Sequence, residues 1–343
     1  MLFYILLLLL FQHILCFHNK ITFKSFLQKK IYENNENEEI LNLLDTIQKS
    51  GFHISKLLSY SHIENLNGYF KKDNVNVRNN HHKKKRKIDI LSNGIIKSNI
   101  EAHKGAHVLT SEEDKEKRIK LKNNKKIIVV YDPLDGSNNI DTNMPRATIF
   151  GCYYDSLNCQ NNLESINSQH NLVLSGYILY SSSINLVFFY ENKVYHFVYD
   201  DLMKDFVIIN DNVKMPNKGK VYSINEAKIN TFHRKHKLYL DKLKEEDYSL
   251  RYSGCLVADV HNLIIHGGIY MYPKNIKSNE SKLRLLYEAK PLSRIIECVG
   301  GMCVDEYRSI QFKDIKDIHE KTPLYIGSKE NIIEFNKFCY KVD

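Results

Sequence analysis

The apolar run Ile127 to Tyr131 passes without a spacer into Asp132-Pro133-Leu134-Asp135-Gly136-Ser137-Asn138-Asn139-Ile140-Asp141. A run of that length and composition predicts a short buried strand. The fold must therefore bury a segment that ends in two carboxylates. Pro133 fixes φ between the two acids, so that Asp132 and Asp135 converge on hard cations while Leu134 is placed to offer its carbonyl oxygen. Gly136 permits a tight bend, and the amides of Gly136, Ser137 and Asn138 then point outward where a helix begins, which makes an anion cradle beside the metal. A bare D-x-x-D reads more readily as an ordinary turn with solvated acids. The longer string is far more specific.

With 343 residues, 43% hydrophobic and 26% charged, the chain can bury one large core or two abutting ones. Six prolines and no glycine-rich or serine-rich stretch leave no flexible linker, and there is no internal repeat. The formal net charge of +9 accompanies Asn and Lys abundance throughout. It argues weakly for nucleic acid and fits a phosphate-rich substrate, so no nucleic-acid partner is expected.

The N-terminus reads as separate from the fold. Leu2 to Phe17 is almost wholly apolar, long enough for a signal-peptide core and short for a membrane span, although it lacks a positive leading segment. Residues 18–37 follow with Lys20, Lys24, Lys29 and Lys30 and no acid before Glu33. A leader at 1–17 and a candidate transit segment at 18–37 suggest the secretory route and then a plastid-type organelle. A cytoplasmic location is expected if the leader is not functional. No stable membrane span is expected after its removal. Beyond Cys16, the cysteines Cys152, Cys159, Cys255, Cys298, Cys303 and Cys339 show no metal-ligand spacing and read mostly as small buried hydrophobes.

Periodicity predicts helices over Glu38–Leu58, Ile88–Ile100, Lys235–Lys244, Cys255–His266, Leu283–Val299 and Lys329–Tyr340. It predicts strands at Ile127–Tyr131, Thr148–Tyr153, Ser175–Tyr180, Asn185–Tyr190, Lys193–Tyr199, Phe206–Asn210, Ile269–Tyr272 and Pro323–Gly327. The class is α/β.

The metal-type string, together with Leu109-Thr110-Ser111-Glu112-Glu113-Asp114, Thr148-Ile149-Phe150-Gly151, Gly176-Tyr177-Ile178-Leu179-Tyr180 and Val221-Tyr222-Ser223-Ile224-Asn225-Glu226, resembles the fructose-1,6-bisphosphatase family. Further blocks keep the order: Arg251-Tyr252-Ser253-Gly254, Val257-Ala258-Asp259-Val260-His261, Gly267 to Pro273, and Lys282-Leu283-Arg284-Leu285-Leu286-Tyr287-Glu288. The resemblance runs from about Glu38 to the C-terminus. It implies a layered αβαβα sugar-phosphatase fold, with residues 38–220 carrying the metal site and a degenerate AMP-type region, and residues 221–343 carrying the sugar and distal-phosphate site.

The activity implied is hydrolysis of the 1-phosphate of fructose 1,6-bisphosphate, with two or three Mg²⁺ per subunit or Mn²⁺ in their place, in a homotetramer or homodimer. By similarity, Glu112, Asp132, Asp135, Glu288 and the Leu134 carbonyl ligate metal, and Glu113 with Asp89 takes the proton from the attacking water. Adjacent Glu112 and Glu113 on a strand would face opposite ways, so an irregular loop is needed there. Lys282 matches the residue that reaches the sugar, Asn225, Tyr252 and Tyr272 those that hold the distal phosphate, and Arg251 one donated across a subunit interface. Each tyrosine also has a packing role open to it.

The chain departs from the family pattern at several points. Lys228 stands where a tyrosine is usual and Ala227 where a glycine is; a lysine still binds phosphate, with less fixed geometry. The small residue usual before the T-I-F-G block is altered at Met144-Pro145-Arg146-Ala147. The segment His81 to Lys87 is basic where the family's mobile loop carries an aspartate, leaving Asp73 as the available acid. In the AMP-type region Lys126 is kept, but Ile127 replaces a stacking aromatic, Tyr154 an arginine, and the threonine-bearing segment reads Glu38-Glu39-Ile40-Leu41. Insensitivity to AMP is expected. Sedoheptulose-1,7-bisphosphatase and a catalytically weak regulatory homologue are the alternatives.

Overall fold

The structure is a computed structural model that describes residues 20–33, 37–66, 68, 86–114, 119–120, 126–155, 162–168 and 171–342. In chain order its elements are α1 (Phe23–Glu33), α2 (Glu38–Tyr60), α3 (Lys87–His103), β1 (Val108–Ser111), β2 (Ile119–Lys120), β3 (Ile127–Asp135), β4 (Arg146–Tyr154) and α4 (Asn162–Asn167). Then come β5 (Leu172–Tyr180), β6 (Ile184–Tyr190), β7 (Lys193–Asp200), β8 (Asp205–Asn210), β9 (Val221–Ser223), α5 (Arg234–Glu245), β10 (Ser249–Leu250), α6 (Leu256–His266) and β11 (Ile269–Tyr272). The chain closes with β12 (Leu283–Arg284), α7 (Lys290–Cys298), β13 (Gly301–Val304), β14 (Lys321–Thr322), β15 (Leu324–Ser328) and α8 (Lys329–Val342).

Strand alternation builds the layers. In β3, Ile127, Val129 and Tyr131 enter one apolar cluster with the helical residues Phe23, Leu44 and Ile96, while Ile128 and Val130 enter another with Val260, Leu263 and Leu292. Successive side chains point to opposite faces, so a strand apolar at every position needs cover on both. The eight-stranded sheet, order β2-β1-β3-β4-β5-β6-β7-β8, therefore has α1, α2 and α3 on one face and α6 and α7 on the other. The five-stranded sheet β10-β9-β11-β15-β13 packs on the far side of α6 and α7. Its outer face, including Met271 and Tyr325, is covered by Tyr239 and Leu240 of α5 and Phe335 of α8. These are the five αβαβα layers. A short β12-β14 pair stands apart from both sheets.

Three readings of the sequence need correction. The candidate transit segment at 18–37 overlaps a core element, since α1 places Phe23, Phe26 and Leu27 in the core, with the Phe23 ring 5.4 Å from Phe197 and Phe26 5.0 Å from Tyr195. An i, i+3, i+4 apolar stripe of only eleven residues is easily passed over beside four lysines. The helix expected over Leu283–Val299 instead starts as β12, passes through a π-helical turn at Leu285–Ala289 and becomes α7 at Lys290, with Pro291 in the first turn. Finally, β1, β9 and β13 are strands of three or four residues that periodicity did not resolve. The leader at 1–17, Asp73, the residues from 81 to 85 and Cys159 lie outside the described residues. Among the described residues no helix is long and apolar enough to cross a membrane.

Candidate active site

β1 and β3 are parallel neighbours in register Ser111↔Tyr131, so Glu112, just past the end of β1, comes out beside Asp132, which is still paired with Ile149 of β4. β1 ends at Ser111 and the chain turns: the Glu113 amide donates to Ser111 Oγ at 3.2 Å and the Asp114 amide to the Ser111 carbonyl at 3.3 Å. The strand rule that would separate Glu112 from Glu113 no longer applies once the chain has turned.

In β3 the pairing to β4 slips between Asp132 and Asp135, at Pro133-Leu134. Pro133 has no amide to donate, and the Asp132 Oδ1 accepts the Leu134 amide at 3.0 Å. The slip lets two acids three residues apart share one side. Gly136 follows with φ +77°, and a Cβ there would lie 2.9 Å from Cys255 Cβ, so both backbone and space require glycine. A single 3₁₀ turn, Ser137–Asn139, succeeds it, with Asn138 exposed and Asn139 buried. Asn139 Nδ2 donates to the carbonyls of Pro145 and Ser253 and ties this turn to the loop before α6.

Glu288 arrives from the π-helical turn, which widens the helix entry: the Lys290 amide reaches back to the Leu285 carbonyl. Asp132, Asp135 and Glu288 each bring a carboxylate oxygen within 4.8 Å of the others. Burial first, then the charges of Glu112 and its neighbours, push the Asp132 carboxyl well above the usual range and Glu288 up to about 8. A carboxylate cluster that resists ionisation by itself is the donor set a hard divalent cation satisfies. Glu112 stands beside this trio rather than in it, because its Oε1 accepts Arg284 Nε at 3.1 Å. Arg284 also donates Nη1 to the His319 carbonyl at 2.8 Å and its amide to Glu288 Oε2. Sequence reading missed Arg284 as an organiser of two acids.

Asp89 sits in the first turn of α3, buried, with its carboxyl pushed up to about 7 by burial and then by Glu113. Its Oδ1 has no hydrogen-bond partner among the described residues. Arg86, at the foot of the same helix, pairs with Asp141 at 2.9 Å and closes the far end of the metal-type loop.

Beyond the carboxylates lies a cavity of about 190 Å³ lined by Asn225, Lys228, Tyr272, Lys282 and Lys321, among others. Lys282 bridges the two regions, since its charge also favours ionised Asp135. Asn225 lies against the Tyr252 hydroxyl, and Tyr252 neighbours Tyr272. The structure thus gathers Asn225, Lys228, Tyr272 and Lys282 round the cavity with Tyr252 at their edge. Arg251 is not among the lining residues: it is exposed, its Nη1 donating to the Leu250 carbonyl. Lys321 was missed because it reaches the cavity only through the β12–β14 pairing, opposite Arg284.

The family models for the N-terminal and C-terminal domains of fructose-1,6-bisphosphatase match residues 21–211 and 215–340. The chain belongs to the fructose-1,6-bisphosphatase family. Chloroplastic fructose-1,6-bisphosphatase of Spinacia oleracea is 35% identical over 323 residues, 88% of this chain and 77% of the relative. The class 1 enzyme of Chlorobaculum parvum is 36% identical over 263 residues, 74% of this chain and 79% of the relative. The crystal structure of Leishmania major fructose-1,6-bisphosphatase in holo form superposes with a TM-score of 0.83 at 30% identity, covering 94% of this chain and 98% of that one. The family match begins at residue 21, which agrees with the core position of α1 in this fructose-1,6-bisphosphatase family member.

Proposed function

We propose that the chain hydrolyses the 1-phosphate of fructose 1,6-bisphosphate, giving fructose 6-phosphate and inorganic phosphate, with two or three Mg²⁺ per subunit or Mn²⁺ in their place. The observation that carries this reading is the trio of buried Asp132 and Glu288 with half-buried Asp135, joined through Lys282 to a cavity lined by three lysines. A bound divalent cation supplies charge neutralisation on phosphoryl oxygens and acidifies an attacking water. Asp132, Asp135 and Glu288 would hold it, with the Leu134 carbonyl and the oxygen of Glu112 not committed to Arg284.

Asp89 and Glu113 form the proton-accepting pair: a carboxyl near pH 7 takes a proton at neutral pH and returns it to solvent readily. The amides of Gly136, Ser137 and Asn138 orient the reacting phosphate. Lys282 reaches the sugar, and Asn225, Lys228, Tyr252 and Tyr272 hold the distal phosphate, Lys228 doing so as a point charge rather than a planar or ring donor. Exposed Arg251 completes a neighbouring subunit's pocket in a dimer or tetramer. We assign the protein to a plastid-type organelle, a reading supported by the apolar leader and by chloroplastic relatives.

Steady-state phosphate release from fructose 1,6-bisphosphate and sedoheptulose 1,7-bisphosphate, with Mg²⁺, with Mn²⁺ and in chelator, tests the reading. The expected result is metal-dependent release with kcat/KM for the six-carbon substrate at least about tenfold higher, a difference of roughly 1.4 kcal/mol in transition-state binding. A preference for the seven-carbon substrate overturns the substrate assignment. Absence of release from either with both metals overturns the catalytic one.

A further inference from the structure

Asp135 has to present one oxygen to the cluster, and its side chain is held from the opposite side of the site. Its Oδ2 accepts the Val257 amide at 3.0 Å, in the first turn of α6, and the Cys255 thiol at 3.1 Å. Its Oδ1 carries no hydrogen bond among the described residues. Two donors on one oxygen fix the carboxylate plane and leave the other oxygen free.

Cys255 is itself immobile. It is fully buried, its amide donates to Ser253 Oγ, and its carbonyl accepts from Ser253 Oγ and from the Asp259 amide. Its Cβ and Sγ fill the space a side chain at Gly136 would need, so the thiol is wedged beneath the metal loop. We propose that Cys255 is a positioning residue for the metal site, its thiol orienting the Asp135 carboxylate for the cation, rather than a small apolar filler at the start of α6. The inference rests on Asp135 being a metal ligand.

The two roles separate in a Mn²⁺ titration that reads free ion by electron paramagnetic resonance, run beside thermal melts of the same full-length variants. Cys255→Ala removes the donor and should raise the Mn²⁺ dissociation constant about fivefold, the worth of a modest hydrogen bond to a charged acceptor. Cys255→Ser keeps a donor in place and should return the constant to within about twofold of wild type even if the melt shows a packing loss. An alanine variant that is folded and binds Mn²⁺ as wild type overturns the proposal. So does a serine variant as weak as the alanine one. Asp135→Asn distinguishes the underlying reading: if it binds Mn²⁺ normally, Asp135 is no ligand and the proposal falls with it. If it has lost Mn²⁺ while Cys255→Ala has not, the ligand stands and only the positioning role is lost.

Discussion

Replacing Asp132 by Asn should make the metal-free protein more stable and the enzyme inactive. In the folded chain Asp132 is buried, within 4.8 Å of carboxylate oxygens of Asp135 and Glu288, and the charge of Glu112 also bears on it. Two unit charges at about that separation repel by roughly 3 kcal/mol at an effective dielectric constant near 20. Part of this is already relieved in the metal-free state, because burial and repulsion push the Asp132 carboxyl well above the usual range and, with Glu288 up to about 8, keep Glu288 largely protonated near neutrality. The release on removing the charge is then about 1–2 kcal/mol, or a rise of about 1–3 °C in Tm for a chain of this size. Asn keeps the Oδ1 that accepts the Leu134 amide, so the loop is not expected to lose its turn.

The assay is a pair of melts, one in chelator and one in saturating Mg²⁺. In chelator the Asn variant should melt above wild type. In Mg²⁺ the order should invert, since wild type gains about 2.7 kcal/mol at one hundred times its dissociation constant and the variant gains little. Phosphate release should fall at least about a thousandfold, the loss expected when charge neutralisation at the reacting phosphate is removed. A variant that melts below wild type in chelator, or that keeps turnover within about tenfold, would falsify the reasoning.

Acid should destabilise the fold through two half-buried imidazoles. His196 and His261, rings 5.2 Å apart and bonded to Asn185 and Tyr177, are pushed down to about 4 by burial. Unfolded imidazoles titrate near 6.5, so the unfolded chain binds more protons between these values. Stability is full above about pH 6.5 and is lost as pH falls toward 4, by at most about 3 kcal/mol for each ring. A Tm that stays flat across that window refutes this. AMP at micromolar concentration, an affinity worth about 8 kcal/mol, should leave the rate unchanged, because Ile127 is buried in the core and Glu39 lies near Tyr154; strong inhibition refutes this. Arg251→Ala should raise KM more than it lowers kcat, since the contact is remote from the breaking bond, and a fully active monomer in sedimentation would remove the intersubunit role.

The sequence by itself determined the features that depend on neighbouring residues. The buried strand at Ile127, the φ restriction at Pro133 and the φ-positive Gly136 follow from side-chain type and order, and they put Asp132 and Asp135 at one end of one strand. Most helices and longer strands were legible for the same reason, because their apolar period is local. The α1 stripe was obscured by its lysines, and the π-helical turn by a pattern that still looked helical. Only the tertiary structure decided how the distant acids are used. Glu112 is drawn to Arg284, Glu288 joins the trio through a widened turn, Lys321 enters the cavity by pairing with β12, and Cys255 holds Asp135 from the start of another helix. Cys255 lies 120 residues from Asp135, and Arg284 lies 172 from Glu112. Their meeting is set by how five layers stack, and layer packing is a sum of many apolar contacts that no local pattern of residues encodes.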